Sequence, residues 1–321
     1  MLINVPKDLY RSNFPTNSHF FISEEFIEIV KNKTDKVFRF MKDKDKSIGI
    51  IFGMKDNILC CPFSAPFGGF HYSHEYLSYN IIYDFIVDLK KYIIDHKLSG
   101  AYITLPPDIY QENINAKCIN AFIKLGFNIS GPDITNWIDL KKFNGIWKNK
   151  KVYQNLRKAY RNQLSFSIIT EIELMQEAFN LIAHNRIDQG RKIHMTFEEI
   201  LELKKIIPID FFLVKDKKGE ISGAGVFYQS HKSIVQAIFI ADNINRRELR
   251  VIDFMYLKVF EHYKNMGFEF IDMGTSSLFG EPNIGLIRFK EIHNCNTSLR
   301  YSFFWGPNGE FSYNCCQQEN K

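Results

Sequence analysis

Hydrophobic positions in the first half of the chain recur with a strand period and then with a helical one. Short apolar runs separated by polar turns such as "KDKDK" and "KDN" predict antiparallel strands. From Tyr79 to Ile93 the apolar residues return at helical spacing, which predicts a helix. The predicted elements of this half are three strands, a helix, a strand, a helix and a last strand, at 37–43, 47–54, 58–63, 79–93, 100–106, 115–126 and 134–140.

The second half repeats this order of elements after a helical insertion. The elements predicted there are two helices, three strands, a helix, a strand, a helix and a strand, at 174–190, 196–207, 211–216, 221–229, 234–241, 246–266, 268–274, 285–292 and 299–305. The order repeats although the residues do not, so we predict an α+β fold in which one kind of unit occurs twice. The linker at 141–150 divides the chain into predicted domains at 1–145 and 146–321.

A basic segment begins in this linker. Residues 141–163 include eight lysines and arginines and no acidic residue. Val152 and Leu156 recur at helical spacing and would bury one face, whereas Arg157 and Arg161 cluster on another face. Two interpretations stay open: a solvated helix face, or a site for an anionic substrate such as a phosphate or the end of a tRNA.

Composition excludes some classes of protein. The chain has 321 residues, of which 45% are hydrophobic and 24% charged, as in ordinary globular proteins, and its net charge of +5 permits an anionic substrate. No segment is apolar and long enough to span a membrane, and the start lacks the apolar run of a signal peptide. The six cysteines match neither a zinc spacing nor a disulfide framework. We therefore expect reduced thiols, a cytoplasmic location, and no metal or prosthetic group.

Polar residues near the end of the chain are candidates for chemistry. Asp272, Gly274 and Ser276 follow a buried strand, where side chains can face a cleft, and capping of nearby backbone is the alternative. Asn283 lies in the next loop, where it can bind substrate or only shape the turn. Lys290 follows on a short helix, either at a site or as a lysine whose stem covers apolar surface.

Other cations and histidines are weaker candidates. Arg186 and Arg191 flank Gly190 at the end of a long predicted helix, where a substrate-anion role and a surface role both remain open. His194 and His293 are single histidines without evident partners, and each is a possible base or a packed residue.

Several stretches together resemble a known family. These stretches are "IVQAIFIAD", "FEFIDMGTSS" and "PNIGLIRFKEIHNC", with a weaker match at "SAPFGGF". They are similar to the tandem acyltransferases built from two N-acetyltransferase-like (GNAT) domains and related to the Fem aminoacyl-ligases. The resemblance is good over 150–310 and weaker over 37–140. It implies two α+β domains around a shared cleft, each with a mixed, mostly antiparallel sheet flanked by helices.

The resemblance also implies a chemistry and a set of residues. The family transfers acyl or aminoacyl groups from a thioester or tRNA ester to an amine or hydroxyl. Lys290, preceded by Phe289, matches a basic residue that lies near the acyl-transfer centre in the Fem relatives. The candidate catalytic residues are thus Lys290, through this match, and Asp272, through its place at the end of a buried strand. The residues expected to bind substrate are Arg157, Arg161, Arg186, Gly274, Ser276, Asn283 and Phe289.

One expected motif departs from the family pattern. Ordinary acetyltransferases bind the coenzyme A pyrophosphate on a glycine-rich turn, but the matching segment 243–253 has no glycine. Arg246 and Arg247 are the candidate phosphate contacts there, and Gly68 and Gly69 offer backbone amides in the first half. Acyl-CoA therefore stays a possible donor and not a required one.

These observations favour a cytoplasmic acyltransferase that uses a thioester donor. The acceptor is expected to be a small molecule or a glycan precursor, in cell-envelope biogenesis. The alternatives are a Fem-like ligase that takes an aminoacyl group from tRNA to a peptidoglycan precursor, and a catalytically silent GNAT-fold binding protein. The Fem enzymes that use tRNA often carry a long helical arm, and this sequence has no long charged heptad segment, which argues against the tRNA-dependent alternative. The absence of the glycine pattern that binds coenzyme A keeps the silent binding protein open.

Overall fold

The computed structural model describes residues 1–15, 18–74, 76–191, 193 and 195–309. These residues form two compact units that are assembled from separate segments of the chain. Within the described residues, unit 1 comprises Met1–Ile134, Ser277–Glu281 and 298–309, and unit 2 comprises Thr135–Ser276 and Pro282–Thr297. The predicted boundary between 145 and 146 stays a prediction about separable domains.

The described residues form helices, and those that follow residue 78 overlap the segments where the apolar spacing predicts helices. The helices are α1 Lys7–Asn13, α2 Glu24–Val30, α3 Tyr79–Asp95, α4 Asp108–Lys124, α5 Lys150–Arg161, α6 Ile172–Asp188, α7 Phe197–Lys204, α8 Val251–Asn265 and α9 Ile284–Ile292. Short 3-10 turns occur at Phe20–Ile22, Lys31–Lys33 and Ile244–Leu249. The helix predicted at 246–266 is therefore a 3-10 turn followed by α8, and Arg250 separates them with a φ of +63°.

The strands of unit 1 form one mixed sheet. Its strands are β1 Leu2–Asn4, β2 Lys36–Lys42, β3 Ile48–Lys55, β4 Ile58–Cys61, β5 Phe70–Tyr72, β6 Gly100–Thr104, β7 Asn128–Ile129 and β17 Ser302–Trp305. The order is β1-β2-β3-β4-β6-β17-β7, with β5 paired to β3. β4 and β6 are parallel, and the other pairs with a known register are antiparallel. Asp56 and Asn57 turn the β3–β4 hairpin with φ values of +51° and +63°.

The strands of unit 2 form a second mixed sheet. They are β8 Asp133–Asp139, β9 Ser165–Ile169, β10 Ile209–Lys215, β11 Ile221–His231, β12 Ile234–Asp242, β13 Phe270–Thr275 and β16 Asn296–Arg300. The order is β16-β8-β13-β12-β11-β10-β9, in which β12 and β13 are parallel. The short strands β14 Ser277–Leu278 and β15 Glu281–Pro282 form a separate ribbon. The prediction of an α+β fold with mixed, mostly antiparallel sheets is confirmed.

The last strand of each half belongs to the sheet of the other half. β8 follows α4 in the chain but pairs with β13, and β17 follows α9 but pairs with β6. The strand predicted at 299–305 is in fact parts of two strands, β16 and β17, which lie in different sheets on either side of Tyr301. The last predicted strand of each half therefore pairs with a strand of the other half.

Each unit has its own apolar core. In unit 1, α3 packs its buried residues Ile82, Phe85 and Leu89 against the sheet. In unit 2, α5 and α8 supply Val152 and Phe260 to a second cluster that includes residues of β10–β13. Both helices therefore owe their positions to the apolar stripes that the sequence displays.

The cysteines and the apolar character of the helices were also predicted from the sequence. Cys61, Cys118 and Cys295 are free thiols, but Cys60 is disulfide-bonded, so the expectation that all cysteines are reduced is wrong for that residue. Among the described residues, no helix has the length and apolar character needed to cross a bilayer.

Candidate active site

In unit 2, β12 and β13 pair over three rungs and then part. Gln236 and Asp272 form the last rung, and they are only 4% and 1% exposed. Beyond that rung the facing backbone groups of the two strands no longer pair with each other. The opening between residues 236–242 and 272–275 is called here the β12–β13 notch. Paired residues project to the same face of a sheet, so the two polar side chains lie together at its apex.

Gly274 opens one side of the notch. Its φ is +71°, a left-handed conformation that favours glycine, and a side chain built on it would meet no atom within 4 Å. The carboxylate of Asp272 accepts a hydrogen bond from the Gly274 amide at 2.8 Å. The end of β13 is therefore held in a turn that leaves its backbone accessible.

Lys290 points into this turn. The side chain of Asn283 caps α9 by accepting from the Leu286 amide at 3.0 Å, and Lys290 lies on the second turn of the helix. The Lys290 Nζ donates to the Gly274 carbonyl at 3.0 Å and to the Thr275 carbonyl at 3.1 Å. The side chain is 3% exposed, which excludes a lysine whose amine reaches out to water.

Burial lowers the pKa of the Lys290 amine from 10.5 to about 8, because a charge is poorly solvated there. Cys295 and Asp272 oppose this change, since a negative charge nearby favours the ammonium form. Burial also raises the pKa of the Cys295 thiol to about 12, which argues against a thiolate nucleophile. The site thus contains a buried amine that can titrate near neutral pH.

The segment between β13 and α9 is fixed by buried polar contacts within unit 2. The Ser276 hydroxyl donates to the Asn136 side-chain oxygen, and the Asn136 amide donates to the Thr297 hydroxyl at 3.2 Å. The Asn283 amide donates to the Ser276 carbonyl at 2.9 Å. Ser276 and Asn283 therefore hold the segment in place, and their predicted roles in substrate binding stay predictions.

A second set of polar contacts ties α9 to α8 and α5. The His293 ring bonds the Phe289 carbonyl at 2.7 Å through Nδ1 and the Asp253 carboxylate at 3.1 Å through Nε2. The Asn155 amide donates to the same carboxylate oxygen at 3.0 Å. Both ring nitrogens lie against protein oxygens, so His293 positions the helix that bears Lys290 and is not placed as a base. Phe289 packs beside Tyr256, with ring centroids 5.5 Å apart.

Arg186 lies beside the notch. Its guanidinium carbon is 5.5 Å from the centroid of the Phe239 ring, which belongs to the part of β12 that β13 does not pair. Burial lowers the pKa of Arg186, and the nearby Arg191 adds to that effect. The neighbouring Asn185 amide donates to the Asp242 carbonyl at 2.7 Å, which fixes α6 against β12.

Four other predicted residues lie on α5 and in unit 1. Arg157 and Arg161 are exposed on α5. Gly68 and Gly69 lie in unit 1, and both amides already donate there, to the Thr104 carbonyl at 2.9 Å and the Cys61 sulfur at 3.4 Å respectively. We therefore place no anion on these amides.

The two arginines predicted to bind phosphates already have acidic partners. Arg246 contacts the carboxylates of Asp216 and Glu220. Arg247 pairs with Asp242, with 3.5 Å between Nε and Oδ2. A phosphate here would compete with carboxylates, so the predicted cofactor role of these arginines stays a prediction.

Several polar residues of the site were not predicted from the sequence. Gln236 and Asp253 each interrupt a largely apolar stretch of a strand or helix, and that interruption is the feature that would have identified them, whereas Asn136 lies among other polar residues of β8 and gives no such signal. Asn155 is the buried polar residue on the apolar stripe of α5. His194, a weak candidate, lies outside the described residues. Within the described ranges, no three or more histidine, cysteine or acidic residues are grouped so that they could hold a metal ion.

The chain contains two α+β units, and each has one parallel pair of strands inside a mostly antiparallel sheet. This arrangement defines the class of fold. This is the tandem GNAT fold, with the Lys290 site at the end of the parallel pair of unit 2. The predicted likeness in fold to the tandem GNAT and Fem-related proteins is confirmed by solved structures.

Three solved structures show the likeness over nearly the whole chain. FemX matches with a TM-score of 0.67 at 11% identity, covering 96% of this chain and 98% of that one. L-PGS from Bacillus licheniformis matches with a TM-score of 0.61 at 11% identity, covering 96% and 94%. A tandem GNAT protein from the clavulanic acid biosynthesis pathway matches with a TM-score of 0.55 at 8% identity, covering 97% and 99%. No family model and no curated protein matches the sequence.

Proposed function

We propose that the chain is an acyltransferase that uses the Lys290 site to move an acyl group from an activated donor to an amine or hydroxyl. The observation that supports this most strongly is the buried Lys290 amine, which two backbone carbonyls hold at the open end of β13. A buried and oriented cation beside an accessible turn is suited to stabilising negative charge that develops during acyl transfer. The fold shared with FemX and L-PGS agrees with this class of reaction.

The hydrogen-bond geometry supports a role for the Lys290 amine as a donor to an oxyanion. An ammonium has three N–H donors, and the carbonyls of Gly274 and Thr275 take two of them. The third donor stabilises the oxyanion formed when the acceptor attacks the acyl carbon. The bond to the donor sulfur or oxygen then breaks, and the acceptor proton leaves to a base or water chain. Asp272 favours the charged form of Lys290 and so maintains its ability to donate.

The donor we favour is a thioester such as acyl-CoA, as suggested by the GNAT fold. A structural relative from the clavulanic acid pathway is described in a form without AcCoA, which connects this fold with that cofactor. The β12–β13 notch offers unpaired strand backbone to an extended donor.

An aminoacyl-tRNA donor is the second candidate. The start of α8 carries Arg250 at its N-cap and Asp253 in its first turn, and Arg246 nearby is already paired with two carboxylates. The pairing of Arg246 with carboxylates makes that arginine less able to bind a pyrophosphate, and the FemX likeness extends over 96% of this chain. For either donor, the acceptor we propose is a cell-envelope or glycan precursor.

Substitution of Lys290 tests the function. With a series of acyl-CoA thioesters and charged tRNAs as donors, Lys290→Met should lower kcat by about 100-fold or more, the typical effect of losing an oxyanion donor. Lys290→Arg should retain part of the activity, because it keeps a cation. The matched control is Arg288→Met, which removes an exposed cation from the same helix and should leave kcat unchanged.

The pH profile tests the protonation state. If the ammonium is the active form, kcat/KM should fall as pH rises through about 8. A rise over the same range would show that neutral Lys290 acts as a base and would contradict the oxyanion role. Donor binding without turnover in the parent protein would instead support a silent binding protein.

A further inference from the structure

The exposed side of α5 is strongly cationic. The α5 cationic face consists of six exposed residues, Lys148, Lys150, Lys151, Arg157, Lys158 and Arg161. None of the six forms an ion pair with any residue in the part of the chain that the structure describes. By contrast, Lys141 and Lys142 just before them pair with Glu269 and Asp139 at 2.9 and 3.0 Å.

The helix is fixed so that this face cannot turn inward. Val152, Leu156 and Ala159 are buried in the core of unit 2, and the Asn155 amide is bonded to Asp253. Lys150, Arg157 and Arg161 lie at i, i+7 and i+11, so they form one row along the solvent side of the helix. A twelve-residue helix is about 18 Å long, which makes the row nearly straight and convex.

Aromatic and aliphatic side chains lie along the edge of this row. Tyr153 and Tyr160 are 40% and 53% exposed, and Ile146 before the helix is 59% exposed. Tyrosine is favoured at the interface between water and lipid, where its ring meets apolar chains and its hydroxyl stays hydrated. The charge and the flanking rings together match an anionic surface with an apolar interior.

We infer that the α5 cationic face docks the protein on an anionic phospholipid bilayer. A flat layer of headgroups can contact the whole convex row at once, and each basic residue near such a surface contributes about 1 kcal/mol. An RNA helix fits less well, because its major groove is too narrow and deep to admit a protein helix. Tyr160 is also less suited to stacking on unpaired bases, since it already packs against Phe254 with centroids 5.7 Å apart.

The docking face is connected to the helix that bears Lys290. The Lys148 amide donates to the Asn294 side-chain oxygen at 3.4 Å, and the Asn294 amide donates to the Ile146 carbonyl at 3.2 Å. Asn294 lies just after the end of α9, so these two hydrogen bonds join the segment before α5 to the segment after α9. The docking inference rests on the proposed function, since docking would bring an acceptor carried by a membrane lipid near α9.

Vesicle co-sedimentation of the full chain tests the docking. We expect binding to phosphatidylcholine vesicles that contain phosphatidylglycerol and little binding to pure phosphatidylcholine. The triple variant Lys150→Gln, Arg157→Gln and Arg161→Gln should bind on the order of 100-fold more weakly, as about 1 kcal/mol per lost cation requires. Raising the salt concentration from about 0.1 M to about 1 M shortens the Debye length from about 10 Å to about 3 Å and should release the parent protein.

The matched control carries the same change of charge on another surface. Lys217→Gln, Lys218→Gln and Lys232→Gln remove three exposed cations of unit 2 and should leave vesicle binding unchanged. Equal binding by the parent and the α5 triple variant would overturn the inference, as would an equal loss in the control. If only tRNA binds to the parent and the α5 variant loses it, the face is a nucleic-acid interface and the inference is wrong.

A second variant separates this inference from the proposed function. Lys290→Met should keep full vesicle binding while it loses transfer. Loss of transfer with intact docking supports both proposals. Transfer by the parent without vesicle binding refutes docking alone, whereas vesicle binding by a parent that transfers no acyl group refutes the function alone.

Discussion

Replacing Lys290 by methionine should change how stability depends on pH. The amine is 3% exposed, and its pKa in the folded protein is about 8 against an ordinary value of 10.5. The difference of about 2.5, at about 1.36 kcal/mol per unit, gives about 3 kcal/mol for burying the charge. Methionine keeps a similar length and has no charge to bury, so the variant lacks this cost.

The sign follows from where each state is protonated. Below about pH 8 the amine is charged in both states, and the folded state bears the whole cost of burial. Above 10.5 the amine is neutral in both states and the cost is absent. The free energy of unfolding of the parent should therefore rise by about 3 kcal/mol relative to the variant as pH increases between these values.

The loss of two hydrogen bonds lowers the free energy of unfolding of Lys290→Met by the same amount at low and at high pH. The carbonyls of Gly274 and Thr275 each lose a bond worth about 1 kcal/mol net, and both residues are half-buried, so water can replace the amine. Lys290→Met should thus be about 1 kcal/mol more stable than the parent at neutral pH and less stable at high pH.

Urea unfolding of both proteins at a series of pH values between about 6 and 11 measures this difference. Arg288→Met is the control, and its difference from the parent should not change over the range where the Lys290 amine titrates. A difference between the parent and Lys290→Met that is constant with pH would refute the reasoning, because it would mean that the folded protein does not perturb this amine.

Two further predictions concern the framework around the site. Asp253→Ala removes the buried oxygen that the His293 ring and the Asn155 amide contact, and it should lower the free energy of unfolding by about 2 kcal/mol, measured by urea unfolding; a change under about 0.5 kcal/mol would show that these contacts do not hold α9. Gly223→Ala places a Cβ 2.3 Å from the Val251 side chain at the start of α8 and should cost about 1–3 kcal/mol. Its control is Gly285→Ala, in which the added Cβ would be 3.6 Å from its nearest neighbour. This control substitution should stabilise α9 by about 0.5–1 kcal/mol. Equal calorimetric Tm values for the two variants would contradict the packing argument.

The apolar spacing determined most of the elements without help from the structure. The period of 3.6 predicted α3 over 79–93, and the helix is Tyr79–Asp95. The runs that predicted β2 and β3 also match within a residue at each end. Such patterns succeed because burial of one face is imposed locally on any strand or helix that covers a core. The segment before Lys36, with β1, α1 and α2, has no clear period, and its elements were not predicted.

The partners of the strands were decided only by the tertiary structure. The pattern at 134–140 predicts a strand equally well in either sheet, because the backbone of a strand presents the same hydrogen-bonding groups to any neighbour. Pairing of β8 with β13 and of β17 with β6 depends on contacts between residues far apart in the chain. Chain order alone therefore could not assign either strand to its sheet.

The candidate site shows the same division between local and long-range information. The sequence suggested Lys290 through a resemblance and Asp272 through its place at the end of a strand, and it predicted that Lys290 lies on a short helix after a turn. A lysine on such a helix can extend to water or into the core with the same sequence around it. The direction was decided by the carbonyls of Gly274 and Thr275, which offer acceptors inside the fold. Gln236 joined the site only because the register of β12 against β13 places it opposite Asp272, and register is a property of the folded sheet.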